Sequence, residues 1–243
     1  LIDAGDLGGA QEVASAIEVN DPWEWRAAWY RGIAELASER PEAALGSLTA
    51  VYHAVPGELA PKLALGMAAE SAGDVAGAAA WYDVVSSTDP AYTTATFGLA
   101  RCRFGGGDLA GALAAYERVA ESSSSYTEAR VASIRCLLDG SDSHEPELSD
   151  VLAAAAALEP LALDGEQRSR LTSEVFLAGL DLVEEGEVDP DCEELLLGYP
   201  FDERELRLAL ERSYREQARH ASTSTERIRL VDEANDLRPR TWT

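Results

Sequence analysis

The stretches SAGDVAGAAAWYDVV (71–85) and GGGDLAGALAAYERV (105–119) lie 34 residues apart and read alike: a Gly-Asp pair, an alanine four residues on, a tyrosine and a valine. The same interval carries back to ASERPEAALGSLTAV (37–51) and DAGDLGGAQEVASAI (3–17). Gly5, Gly73 and Gly107 share one column, broken by Glu39, and Asp6, Asp74 and Asp108 share the next. Ala10, Ala44, Ala78 and Ala112 form a third column, and Ala14, Leu48, Tyr82 and Tyr116 a fourth. Ile17, Val51, Val85 and Val119 form a fifth. Pro22, Pro56 and Pro90 recur with them, with Ser124 in the fourth copy. Upstream, Gly32, Gly66 and Ala100 each stand twelve residues before the shared alanine.

A helix–turn–helix unit of this period is the tetratricopeptide repeat. Each helix is too short to be stable alone, so its apolar stripe must be buried on its partner and on the next repeat. The small residues of the glycine and alanine columns let the two backbones approach closely. The prolines cannot continue a helix and close each unit. The fold expected is all-α: a tetratricopeptide right-handed superhelix, or α-solenoid, with additional C-terminal capping helices.

FGGGD at 104–108 invites another reading, a loop that cradles phosphate. A P-loop ends in Gly-Lys-Ser/Thr, because the lysine and the hydroxyl serve the phosphates and the metal. Here Asp108 and Leu109 follow Gly107, and the preceding TFGLARCRF reads as helix rather than strand. The repeat explains the segment instead. Glycine supplies the left-handed residue that ends the first helix. Asp108 caps the second, its charge at the positive end of the dipole.

Residues 1–22 read as the remainder of one repeat, and 25–56, 59–90 and 93–124 as three full ones. A degenerate repeat starts at 127, and a tetratricopeptide array is drawn over 1–143 with degenerate helical repeats and a cap over 144–243. GSDSHEP (140–146) is a polar loop before the helix ELSDVLAAAAALE. A long helix is expected over roughly 165–186, where Leu171, Val175, Phe176, Leu180 and Leu182 form a stripe of helical period. EEGEVDPDCEE reads as a turn region followed by a short apolar piece at 195–197, and two more amphipathic helices are expected over 202–221 and 224–239. Pro239 falls out of register with the earlier prolines, as in a terminal cap. No strand pattern stands out. The opening LIDAGD reads as the tail of a first helix and its turn, which implies a piece of a longer protein whose missing part lies upstream.

Of the 243 residues, 46% are hydrophobic, enough for one or two domains. No apolar run approaches the roughly 18 residues of a membrane span, and no signal-peptide pattern is visible. The net charge of −24 opposes binding to nucleic acid. All of the excess lies in residues 1–198, because 199–243 holds nine acidic and nine basic side chains. The acidity serves solubility, or it steers a basic partner and repels others. Lys62 is the only lysine beside nineteen arginines, a bias that fits a GC-rich coding sequence.

Cys102, Cys136 and Cys192 form no CxxC, and Cys102 and Cys136 occupy the column of Ala34 and Ala68, so they read as small packing residues. A reducing, cytoplasmic setting fits. His53, His144 and His220 have no metal-ligand spacing. No nucleophile–base arrangement can be drawn from them. No catalytic, cofactor or metal residue is therefore assigned in this chain.

Repeats of this kind line a concave face with their first helices. One inward column holds Trp29, Leu63, Phe97 and Val131, with Trp25 and Ile33 nearby. These six are the partner-binding candidates. They form an apolar groove for a segment of the parent chain or of a partner, or else Trp29 and Phe97 are inter-helix packing. Some tetratricopeptide domains clamp a chaperone's terminal carboxylate with lysine, asparagine and arginine. The matching positions here are Trp29, Ile33, Ala64, Thr94 and Gly98, which offer no charged donor.

Several stretches carry a more specific resemblance: WEWRAAWYRGIAEL (23–36), VPGELAPKLALGMAAESAGD (55–74), FGLARCR (97–103), YPFDERELRLALERSYREQAR (199–219) and LVDEANDLRP (230–239). In this order they resemble the C-terminal region of the actinobacterial protein kinase G-type (PknG) serine/threonine kinases, over nearly the whole chain. The resemblance implies a parent with a rubredoxin-type metal site and an ATP/Mg-dependent kinase domain ahead of the repeats. It implies that the repeats pack on that kinase domain, recruit an FHA-domain substrate that regulates 2-oxoglutarate and glutamate metabolism, and can form a homodimer. None of the kinase motifs occurs here, so no catalytic residue carries over. The alternative is a free-standing scaffold or adaptor with no enzyme attached. An enzyme in its own right would need a site that no constellation suggests.

Overall fold

The computed structural model describes residues 2–21, 23–141 and 144–238. Pro22, Pro239 and residues 142–143 of the polar loop lie outside the described residues. The chain divides into two compact units, one up to Ser123 and one from Ser124. The boundary drawn from sequence, at 143/144, follows the polar loop instead.

Among the described residues, a 3₁₀ turn (Ile2–Ala4) and seven α-helices build the first unit: α1 (Leu7–Asn20), α2 (Trp25–Ala37), α3 (Pro41–Ala54), α4 (Leu59–Ser71), α5 (Val75–Thr88), α6 (Thr93–Gly105) and α7 (Leu109–Glu117). Each α-helix packs on its neighbour in sequence, and the first helix α4 also touches the first helices on either side of it, α2 and α6. This is the all-α tetratricopeptide solenoid that the columns predict. Its turns repeat bond for bond. The backbone N–H of Gly5 donates to Ile2 at 2.9 Å, Glu39 to Leu36 at 3.0 Å, Gly73 to Glu70 at 3.0 Å and Gly107 to Phe104 at 2.9 Å. Gly5, Gly73 and Gly107 sit at φ +76°, +80° and +80°, where a side chain is strained, and Glu39 is held at +55° in the same place. The Asp6, Asp74 and Asp108 carboxylates then accept from the N–H of Gly9, Gly77 and Gly111 at 2.8–2.9 Å.

The interior follows the alanine columns. Ala44, Leu48, Ala64, Leu65 and Ala68 form a buried cluster, with Trp29, Ile33, Leu36 and Trp81 packed around it. Burial of each large apolar side chain stabilises by about 1.5–3 kcal/mol. A Cβ on Gly32 would lie 2.7 Å from Leu48, and one on Gly66 would lie 2.8 Å from the Tyr82 ring. The small-residue column therefore exists because the facing column is large. Tyr82 is approached from its other side as well, since a Cβ on Gly98 would lie 2.5 Å from its ring.

The second unit holds α8 (Tyr126–Leu138), α9 (Leu148–Leu158), α10 (Gly165–Glu185), α11 (Glu203–His220) and α12 (Ser224–Leu237). α8 packs on α9 and α10, so the degenerate repeat is tied to the helices after it. The stripe Leu171, Val175, Phe176, Leu180 and Leu182 is buried on α10. α10 and α11 are joined by polar groups too. The Ser213 hydroxyl donates to the Ser169 carbonyl at 2.8 Å, and the Gln217 amide donates to the Ser173 hydroxyl at 2.6 Å. Each buried polar atom that is paired avoids a desolvation cost of about 1–3 kcal/mol.

One element departs from the sequence reading. The segment after DPDCEE is a minimal antiparallel hairpin, β1 (Leu195–Leu196) with β2 (Tyr199–Pro200). Leu197 and Gly198 turn it, both at positive φ (+49° and +86°). The hairpin seats on α10 because Gly179 leaves room: a Cβ there would lie 2.3 Å from the buried Leu196 side chain. Two-residue strands are too short to show alternation, so periodicity cannot reveal them.

Candidate functional site

The touching first helices α2, α4 and α6 present one face in the first unit. Along it Trp25, Trp29, Ile33, Leu63 and Phe97 are half-buried, and Met67 is 43% exposed. Met67 stands in the column of Ile33, Arg101 and Arg135, so the column changes from apolar to cationic along the array.

Arg101 is held firmly. Its guanidinium forms two 3.0 Å hydrogen bonds to the Glu70 carboxylate across the α4–α6 contact. The Tyr82 hydroxyl, reaching from α5, donates to the same carboxylate at 2.6 Å. Burial pushes the Glu70 carboxyl up, but the hydrogen bonds from Arg101 and Tyr82 and the arginine charge outweigh it and hold Glu70 below its ordinary value. Burial, reinforced by the Glu70 carboxylate, pushes the Tyr82 hydroxyl up. The three groups tie three successive helices through one charged centre. One period on, in the second unit, Arg135 makes the matching pair of bonds to Glu174 at 2.9 and 3.0 Å.

With this architecture in place, the comparisons with known proteins become specific. Residues 1–241 match the family model described as the protein kinase G tetratricopeptide repeat. The chain belongs to this family. It is 35% identical over 240 residues to the serine/threonine-protein kinase PknG of Mycolicibacterium smegmatis and 34% identical over 239 residues to that of Mycobacterium leprae. Each alignment takes in 98% of this chain and 31% of the relative, so the chain spans under a third of those kinases. A tetratricopeptide repeat protein from Parabacteroides merdae shares the fold at a TM-score of 0.51 and 13% identity, covering 96% of this chain and 94% of that one.

Within this PknG-family region the six candidate residues do not converge on one cavity. Trp29 and Ile33 are brought together: both pack on the Ala44–Leu48 cluster and both line an apolar cleft of about 420 Å³ between α1 and α2. Phe97 meets the Tyr116 ring of its own repeat edge-on, with centroids 5.3 Å apart. Trp25 carries the Arg26 guanidinium over its ring at 5.3 Å. Leu63 lies between Trp29 and Phe97 in the column. Val131 belongs to the second unit, where it lines a different cleft with Thr127, Arg135 and Leu171.

Three residues that bear on this face have no partner in the candidate set: Met67, Glu70 and Arg101. Only Arg101 carried a sequence signal, as the residue at which the column of Ile33 and Met67 turns cationic. Of the clamp-equivalent positions, Ala64 is buried and Gly98 is pressed against Tyr82. The glycine loop is the turn it was read to be, and Asp108 already occupies the N-terminus of α7 with its own carboxylate. Cys102 is buried, and burial followed by the nearby Glu70 charge pushes its thiol up, which suits packing and not nucleophilic work. Among the described residues no group of histidine, cysteine and acidic side chains is placed to hold a metal, and no helix is long and apolar enough to cross a membrane.

Proposed function

We propose that this chain is the protein-binding regulatory region of a PknG-type serine/threonine kinase, working in the cytoplasm. In this reading it packs on the upstream kinase domain and recruits the protein substrate, an FHA-domain regulator of 2-oxoglutarate and glutamate metabolism. ATP, Mg and any rubredoxin-type metal belong to the upstream domains, and the chain contributes affinity and orientation. Dimerisation through the repeats belongs to the same proposal.

The observation that carries it is the face of α2, α4 and α6. A half-exposed apolar row (Trp29, Leu63, Met67, Phe97) runs into a guanidinium fixed by Glu70. Such a row fits apolar side chains of a partner, and the fixed Arg101 adds a directional polar contact. The family membership and the kinase names of the relatives support the setting.

Isothermal titration of this chain with the purified FHA-domain substrate tests the proposal. Met67→Asp changes an exposed side chain, so it should leave helix content and melting unchanged and weaken binding by about tenfold, equivalent to about 1.4 kcal/mol. Trp29→Ala should weaken it as well, with a lower melting temperature because Trp29 also packs on the core. Affinity indifferent to Met67→Asp would remove this face from the interaction.

A further inference from the structure

The second unit contains a cleft that plays no part in the proposed partner face. It measures about 550 Å³ and opens between the end of α9, the N-terminal part of α10, the hairpin and α11. That volume suits a small molecule. Leu158, Phe176, Leu197 and Ala209 give it an apolar lining. Tyr199 joins them, its ring edge-on to Phe176 with centroids 5.4 Å apart. Much of the polar floor is already paired. The Ser169 hydroxyl donates to the Glu166 carbonyl at 3.0 Å, and the Ser213 hydroxyl to the Ser169 carbonyl at 2.8 Å. Thr172 lines the cleft with a hydroxyl that makes no such bond among the described residues.

Two guanidiniums set the chemistry of the occupant. The chain has a net charge of −24, and its arginines commonly answer carboxylates. On α11, Arg207 pairs with Glu184 and Glu203, Arg215 with Glu211, and Arg219 with Glu216. Arg168 and Arg212 both line the cleft, and neither forms an ion pair among the described residues. Each is held by a neutral oxygen instead. Arg168 donates to the Leu161 carbonyl. Arg212 donates to the Tyr199 hydroxyl at 3.0 Å and stands over the Tyr199 ring, 6.0 Å from its centroid. A neutral acceptor positions a guanidinium but leaves its charge and its other N–H groups for a second partner. The nearby carboxylates are largely engaged. Glu216 is neutralised by Arg219 at 2.5 Å, with His220 at 3.6 Å. Asp164 caps α10, accepting from the Gln167 N–H at 2.8 Å. Glu159, exposed at the end of α9, lines the same cleft and has no ion pair among the described residues. Its charge works against an anion there.

We propose that this cleft binds a small phosphate monoester carried on an apolar body. Guanidinium forks match phosphate oxygens in geometry. A phosphate monoester carries about −1.5 to −2 charges near pH 7 and three acceptor oxygens, enough to answer two guanidiniums. A single carboxylate would leave one of them unanswered. The Thr172 hydroxyl supplies one more donor, and the apolar lining takes the rest of the molecule. The partner face concerns Met67 in the first unit, so the two proposals are tested separately.

Phenyl phosphate is the probe. It is titrated into the 243-residue chain and followed by calorimetry and by amide chemical shifts. Binding should saturate, with shifts at Thr172, Leu197 and Ala209. Benzoate lacks the second charge and inorganic phosphate lacks the apolar body, so each should bind about tenfold more weakly. Arg212→Met changes an exposed side chain, so it should leave helix content unchanged and weaken phenyl phosphate by about tenfold. Glu159→Gln should tighten binding by about twofold, a gain that damage to the fold would not produce. Absence of saturable binding, or affinity indifferent to Arg212→Met, overturns the proposal. So does benzoate or inorganic phosphate bound as tightly as phenyl phosphate, because the occupant would then be of another class.

Discussion

Glu39 is the residue at which the repeat breaks its own rule. The turn needs a left-handed conformation, glycine supplies it in three of the four turns, and Glu39 adopts it at φ +55°. A non-glycine residue there costs roughly 1 kcal/mol or more. Glu39→Gly should therefore raise stability by about 1 kcal/mol, less a small loss from the freer unfolded chain. Chemical denaturation that shows the variant equal to or weaker than the parent would mean that the turn is not strained. Gly98 argues in the opposite direction. A Cβ at 2.5 Å from the Tyr82 ring must displace a side chain locked between α4 and α6. Gly98→Ala should lower stability by about 1–3 kcal/mol. The columns make Gly66 legible in the sequence and leave Gly98 illegible, because Gly98 answers to a tyrosine in the preceding repeat and not to its own column.

At the scale of elements, the Glu70–Arg101–Tyr82 centre binds α4, α5 and α6 together. Folding lowers the Glu70 pKa, so the stabilisation it brings is complete above its ordinary value of 4.5 and is lost as pH falls through the lower folded value. Glu70→Gln keeps the shape and removes the charge. The melting temperature of the parent should exceed that of the variant near neutral pH, and the gap should narrow as pH drops below about 4.5. A gap of constant size across that range would show that charge is not what joins these helices. The helices themselves were readable because their period, caps and small-residue columns all say the same thing. The hairpin at 195–200 was not, since its register rests on the left-handed Leu197–Gly198 pair and on the space that Gly179 leaves. Both are tertiary facts.

Across the whole molecule, the all-α fold could be read from the columns, because each repeat reports its neighbours, whereas the PknG family was legible only as a resemblance that runs on through 199–219 and 230–239, outside the repeats. The packing of the proposed binding face could be read only in part. Trp29, Leu63 and Phe97 share a column in sequence, but their packing differs, with Trp29 on the core cluster and Phe97 on Tyr116. Half-burial of that kind is decided by the facing helix, which no single column contains. The central claim is that this face recruits a protein substrate for a kinase that lies elsewhere in the parent. The most direct measurement is steady-state phosphorylation by the full-length parent carrying Met67→Asp with Phe97→Ser. Its two substrates would be the intact FHA-domain protein and a short peptide around the phosphorylated residue. The account predicts a KM for the intact protein about tenfold higher, a loss of about 1.4 kcal/mol, with kcat/KM for the peptide unchanged. Equal KM values for the intact protein in parent and variant would contradict it.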